Sequence, residues 1–351
     1  MKTSVIAAML IAAGSFAAAQ ESAYSPLPDI HFSQFKTEGA LLSPQAGQST
    51  PLDVQVQNPM FGVGQIFVSC GFDGQGQTCL FDTGSNVCLV KADDFFGKYP
   101  AQGQRCSQGA SGAKVCSDVI NIGDLKVGGV DFGALQALRR TPQSCGGAGG
   151  PQLPSYLVGS VWHSMLGHNV SFDFAAKTMS VDPSQPAPGA QQPMKLVLDN
   201  NYLEIPVGFG SAAPVQMLYD TGAGLTVMDQ GYVDSNASAF SFVGDTQIQD
   251  SSCQKIPVKI YTINSLSVAG NSLSGTYAVA MDLGPVKQAL GQDLQGIIGF
   301  NAITPFNWWV DLKNDTFAIS PNGSASIMSE LPAVVPGVLK VKLPSLLQGA
   351  R

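Results

Sequence analysis

The sequence predicts an all-β protein of two similar lobes, and three observations carry that expectation. An acidic tripeptide occurs twice, 138 residues apart, as Asp82-Thr83-Gly84-Ser85 and Asp220-Thr221-Gly222-Ala223. The parts around it recur in the same order in both halves. The composition, with 39 Gly, 22 Pro and only 12% charged residues, places short Val, Thr and Ile runs between many turn residues, as an all-β chain requires. No segment carries a sustained helical periodicity to compete with that pattern.

The elements follow in order. Residues 1–19 have Lys2, an apolar run from Val5 to Ala13 and Ala17-Ala18-Ala19 before Gln20, the pattern of a signal peptide and too short for a spanning helix. Residues 20–50 form a polar, Pro-containing leader. Residues 51–182 are the expected N-terminal lobe. It opens with a hairpin, Gln65–Phe72 and Cys79–Asp82, that places Asp82 just beyond its second strand. An apolar run follows at Asn86–Val90, so the Asp lies in a loop between strands. Leu157-Val158-Gly159 comes 77 residues after Asp82, and an apolar-Asp-apolar strand, Val170–Phe174, closes the unit. The Pro-rich stretch from Asp182 to Pro193 reads as a semi-rigid linker, with the lobe boundary at 183–195.

The second unit, 196–320, repeats the plan. Leu203–Phe209 and Met217–Asp220 make the hairpin, Leu225–Met228 the following run, and Ile297-Ile298-Gly299 comes 79 residues after Asp220. Trp308–Leu312 is the closing strand, with one Trp expected in the core and the other at the surface. A unit of this length implies two lobes, because solenoid repeats have periods of about 20 to 50 residues. Residues 321–351 are a C-terminal extension in which Val338–Leu343 alternates like an edge strand.

At these residues the chain resembles the pepsin-like aspartic proteases, with a local spelling, Asp220-Thr-Gly-Ala followed by Gly-Leu-Thr-Val-Met, closer to the retropepsins. The resemblance covers roughly residues 52 to 320 and rests on four motifs in order. It implies a secreted endopeptidase in which Asp82 and Asp220 activate a water between them, with no metal, cofactor or covalent intermediate, and with an extended polypeptide as substrate. Thr83 and Thr221 are expected to hydrogen-bond across the lobe interface, and Gly159 and Gly299 to pack beneath the Asp loops. Gly84 and Gly222 let the backbone turn tightly and bring N–H groups to the carboxyls. Ser85 can donate to Asp82 whereas Ala223 cannot serve Asp220, so Asp82 is expected to ionise first. By the same resemblance residues 20–50 are a possible pro-region, although Lys36 and His31 are their only candidate cations, and the cleft flap is Cys106–Cys116. The flap tyrosine of the family is absent, since no Tyr lies between Tyr99 and Tyr156.

Seven cysteines fit an oxidising compartment, and the odd number leaves at least one outside an intramolecular pair. Cys70 with Cys79 and Cys106 with Cys116 each flank a hairpin turn and are candidate cross-strand bridges; Cys88, Cys145 and Cys253 are open. Three histidines, His31, His163 and His168, without ligand spacing, give no metal site. A net charge of −7 with no basic stripe argues against nucleic acid, and suits work in acid, where carboxylates lose charge. Sequons begin at Asn169, Asn236, Asn314 and Asn322. Two Asp loops in one chain remove the need to dimerise, so a monomer without a membrane span is expected. The competing expectation is a pepsin-fold binding or inhibitor protein that has lost catalysis. A glycosidase would need its carboxyls about 5 to 9.5 Å apart and sugar-stacking aromatics, which three Trp support poorly.

Overall fold

The computed structural model describes residues 5–10, 15–20 and 45–323, except 86, 110–113, 142–153, 160–161, 163–164, 198–201, 250–253 and 291–292. Most of the 20–50 leader, the tip of the 106–116 hairpin, His31, His163, Cys145, Cys253 and the expected 338–343 strand lie outside the described residues.

The protein is all-β, as expected, and among the described residues its strands gather into three sheets with only short helices. The first sheet draws its ten strands from residues before 160 and the second draws its ten from residues after 194. In the first, Val63–Phe72 and Gln75–Phe81 form the predicted hairpin. Its turn is Asp73-Gly74, with φ of 49° and 78°, the left-handed pair that a two-residue hairpin requires and that Asp-Gly supplies at least strain. In the second, Tyr202–Phe209 pairs with Val215–Tyr219. At the outer edge of the first sheet Val5–Leu10 and Ser15–Gln20 form a hairpin against Gly103–Gly109.

Both sheets thread the strand before the Asp triplet in the same way. Leu157–Val158 lies parallel to the end of Gln75–Phe81, with Val158 opposite Phe81, and antiparallel to Cys88–Lys91. Gly296–Ile298 lies parallel to Val215–Tyr219, with Ile298 opposite Tyr219, and antiparallel to Thr226–Asp229. The strand that enters each Asp loop and the strand that leaves it are therefore held apart by a third. Parallel strands covered on both faces read as apolar runs, as Leu157-Val158 and Ile297-Ile298 do.

The third sheet, of six strands, is built by both halves. Its middle pair is Asn169–Asp173 against Phe306–Asp311; outside them lie Thr178–Val181 with Ser49–Pro51 on one side, and Thr316–Pro321 with Gln192–Pro193 on the other. The expected linker thus contributes a strand pairing of its own at Gln192–Pro193.

Rings from this sheet fill the space beneath the two Asp loops. Tyr219 meets Trp308 edge-on at 4.8 Å between centroids and Trp162 at 6.1 Å, and Phe172 packs against Phe81 and Trp162. Trp308 donates its ring N–H to the Ile303 carbonyl at 2.8 Å, but the Tyr219 hydroxyl is buried without a partner. A buried ring removes about 150 to 250 Å² from water, worth about 4 to 6 kcal/mol, against about 1 to 3 kcal/mol for an unpaired hydroxyl, so burial wins. Trp308 and Trp309 are both buried, although one of the two was expected at the surface.

Cys70 and Cys79 are joined by a disulfide, as expected, diagonally across the hairpin that leads into Asp82. Cys116 is disulfide-bonded and stands opposite Cys106 in its ladder. Cys88 is a buried free thiol. Closing a loop of this size restricts the unfolded chain by about 2 to 3 kcal/mol. Cys70→Ala with Cys79→Ala is expected to lower the urea midpoint by that much stability; an unchanged midpoint would show that the hairpin holds its shape without the bridge.

Candidate functional site

Asp82 and Asp220 each follow the last residue of a strand and are tied by their own N–H to the strand between: Asp82 N–H donates to Val158 O at 2.9 Å and Asp220 N–H to Ile298 O at 3.1 Å. The chain then turns sharply, with Ser85 N–H reaching back to Asp82 O at 3.2 Å and Ala223 N–H to Asp220 O at 3.3 Å. Glycine is required in these turns by space. A Cβ on Gly84 would overlap the Asp220 carboxyl, one on Gly159 would overlap the backbone at Ser85 and Val87, and one on Gly299 would lie 2.6 to 2.7 Å from the backbone at Leu225 and Ala223. Gly159 and Gly299 thus pack directly against the two loops.

The two loops are locked to each other by Thr83 and Thr221. Thr83 N–H donates to Thr221 Oγ1 at 3.1 Å and Thr221 N–H donates to Thr83 Oγ1 at 3.0 Å. Each hydroxyl passes its own proton across: Thr83 Oγ1 donates to Tyr219 O at 3.1 Å, and Thr221 Oγ1 to Phe81 O at 2.7 Å. Both threonines are fully buried, so these four bonds satisfy every polar atom of the two side chains without water. Asp82 and Asp220 therefore face one another across a closed ring of hydrogen bonds.

Both carboxyls are inaccessible to solvent. Asp82 Oδ1 accepts Gly84 N–H at 3.1 Å; Asp220 Oδ1 accepts Gly222 N–H at 2.8 Å and Ala223 N–H at 3.1 Å. Asp82 Oδ2 and Asp220 Oδ2 are buried with no such partner. Burial raises both carboxyls above the ordinary range, and the Asp220 charge raises Asp82 further, while hydrogen bonds from Asp82 and from the loop N–H groups hold Asp220 down. The two carboxyls share their titration, so the pair holds one proton between Asp82 and Asp220.

The Ser85 rotamer removes the ground on which Asp82 was expected to ionise first. Its hydroxyl donates to Val87 O at 2.9 Å and accepts from Val87 N–H at 3.3 Å, closing a local turn instead of serving Asp82. Ser85 still favours ionised Asp82, but through its backbone N–H. Ala223 serves Asp220 in the same backbone manner, so the Ser/Ala difference loses its force.

The structure therefore brings together every residue singled out in the two triplets, with Gly159 and Gly299 beneath them. Sequence reasoning missed two: Thr226 and Asn301, both fully buried behind Asp220. The available signal was an Asn alone in the apolar run from Ile297 to Ile303. Among the described residues no group of three or more His, Cys, Asp or Glu side chains could hold a metal, and no helix is long and apolar enough to cross a membrane. No protein-family model matches the chain, and no curated protein matches it.

Two outcomes follow from this geometry. Thr83→Val and Thr221→Val each strand a buried N–H and a buried carbonyl, and each is expected to destabilise by about 2 to 4 kcal/mol in chemical unfolding; values near zero would show that the crossed bonds are dispensable. Because the folded state holds Asp82 above the ordinary carboxyl value of about 3.9, folding binds protons there and stability from the pair is lost as pH rises above about 4. Asp82→Asn is therefore expected to melt higher than wild type at pH 7, by roughly 2 to 4 °C for each kcal/mol relieved, with the gap closing at pH 3. An equal gap at both pH values would sink the argument.

Proposed function

We propose that this protein is a secreted aspartic endopeptidase of the pepsin-like, two-lobed kind, hydrolysing peptide bonds by a water activated between Asp82 and Asp220. The observation that carries the reading is the pair of buried, facing carboxyls held by the reciprocal Thr83 and Thr221 bonds. A dyad that shares one proton has both halves of the chemistry that amide hydrolysis needs. The ionised member takes a proton from water while the protonated member donates to the scissile carbonyl and the water attacks; as the tetrahedral diol collapses, the first member passes its new proton to the leaving amine and the second takes one back from a diol hydroxyl. The two Oδ2 atoms, which no loop N–H group occupies, are the atoms that would address the water and the carbonyl.

In this reading residues 51–182 and 196–320 are the two lobes, each built on one of the two ten-stranded sheets and joined through 183–195 and the shared six-stranded sheet; Val5–Leu10 and Ser15–Gln20 add the two edge strands of the first. An extended polypeptide lies in the cleft between them and pairs through its backbone. Residues 1–19 direct export, and one chain suffices because it supplies both carboxyls. The acidic balance of −7 and a dyad that keeps a proton fit an acidic working pH.

A second reading, a pepsin-fold binding or inhibitor protein, is favoured by one observation: no tyrosine lies between Tyr99 and Tyr156, where the family places its flap residue. Digestion of a denatured protein mixture across pH 3 to 7 decides between them. The expected result is cleavage that a pepstatin-type inhibitor, Asp82→Asn or Asp220→Asn abolishes, each mutation lowering kcat by about a thousandfold or more. Absence of cleavage at every pH, with residues 20–50 removed as well as present, would favour the binding protein.

A further inference from the structure

Behind Asp220 lies a polar relay with no counterpart among the described residues behind Asp82. Thr226 and Cys88 hold the same position, six residues after their respective Asp. Cys88 Sγ donates to Gly159 O at 3.4 Å and goes no further. Thr226 Oγ1 instead accepts Gly299 N–H at 3.4 Å and donates to Asn301 Oδ1 at 2.9 Å, and the same Oδ1 accepts Thr226 N–H at 2.9 Å. Asn301 Nδ2 then donates to Tyr277 O at 2.7 Å, on the strand Thr276–Met281 that lies parallel to Thr226–Asp229. Phe300 N–H completes the support by donating to Ala223 O at 2.7 Å.

We propose that Asn301 is a positioning residue which, through Thr226, fixes the Ala223–Thr226 segment so that the Gly222 and Ala223 N–H groups stay aimed at Asp220 Oδ1. The inference rests on the dyad reading above and deepens it by assigning what holds two N–H groups on Asp220 Oδ1, where Asp82 Oδ1 accepts one. Three features point the same way. Asn301 is fully buried, and an amide in an apolar run is retained at a desolvation cost unless its bonds are all made. Its carbonyl bonds both the backbone and the side chain of Thr226, which sets the plane of the peptide leaving the Asp loop. Its NH₂ anchors that peptide to a neighbouring strand, so the loop cannot tilt independently of the sheet.

The consequence is directional. With Asn301 shortened, Thr226 loses its acceptor, the Ala223 peptide is freed to rotate, and Asp220 loses part of the N–H field that favours its ionised form. The lower step of the shared titration then moves up, and the acid limb of activity moves with it. A residue that only filled space would change stability and leave the titration where it was.

The test is a ¹³C NMR titration of aspartate-labelled protein, with the two signals assigned by Asp82→Asn and Asp220→Asn, run beside the cleavage assay. Asn301→Ala and Thr226→Val are expected to raise the lower step by roughly half a unit to one unit, whereas Thr226→Ser, which keeps the hydroxyl, titrates like wild type. In the cleavage assay kcat/KM on the acid limb falls about three- to tenfold in the first two, which is that shift expressed as the fraction of ionised Asp220. A folded Asn301→Ala protein whose dyad titrates as in wild type overturns the inference. Where Asn301→Ala does not fold, Thr226→Val decides on the same criterion. A wild-type chain that cleaves nothing overturns the protease reading alone, because the carboxyl titration reports the positioning role without substrate.

Discussion

The reciprocal bonding of Thr83 and Thr221 is the constraint on which the rest of the site depends. Each threonine is both donor and acceptor toward the other loop, through its N–H to the facing Oγ1 and through its own hydroxyl to the carbonyl before the facing Asp. Neither loop can shift without breaking bonds in both sheets. Everything nearer the carboxyls follows: Gly84 must lack a Cβ because the facing Asp220 carboxyl occupies that space, and the two Asp side chains are pressed into one electrostatic unit. A buried carboxyl pair is costly. It is tolerated because loop N–H groups bond the outer oxygens and because one proton is retained between the two groups.

A near-symmetric scaffold carries an asymmetric pair. The strand pairings around Asp82 and Asp220 match residue for residue, Val158 opposite Phe81 and Ile298 opposite Tyr219. The differences are confined to second-rank contacts. Ser85 turns to Val87, Cys88 stops at Gly159, and Thr226 continues to Asn301. Symmetry in the backbone sets how close the carboxyls are, and these side chains make the surroundings of the two unequal. The buried Cys88 thiol, pushed up to about 12 by desolvation, adds no charge to that balance.

Much of this was legible in the sequence because it depends on local pattern. The Asp73-Gly74 hairpin, the strands leading into both triplets, the Cys70 to Cys79 bridge and the glycines of Leu157-Val158-Gly159 and Ile297-Ile298-Gly299 are all signalled by alternation, turn chemistry or repetition. What escaped depends on contacts distant in sequence or on one torsion. The Ser85 hydroxyl chooses between an Asp three residues back and a carbonyl two residues on, and only the fold of the turn decides. Asn301 gives no local sign that its partner is Thr226, 75 residues earlier. Trp308 and Trp309 alternate along a strand, which suggests one inside and one outside, but a strand covered on both faces hides both.

The six-stranded sheet has a bearing on how the chain comes to be folded at all. Asn169–Asp173 finds one neighbour close by, in Thr178–Val181, but the other, Phe306–Asp311, belongs to the far end of the described chain. A ribosome that has released the first two hundred residues has released an apolar strand, Val170 and Phe172 included, with one hydrogen-bonding edge still unpaired. Such an edge invites pairing with any other extended chain nearby until its own partner emerges. Late synthesis, more than the chemistry at Asp82, is the stage at which this molecule is most exposed to misassembly.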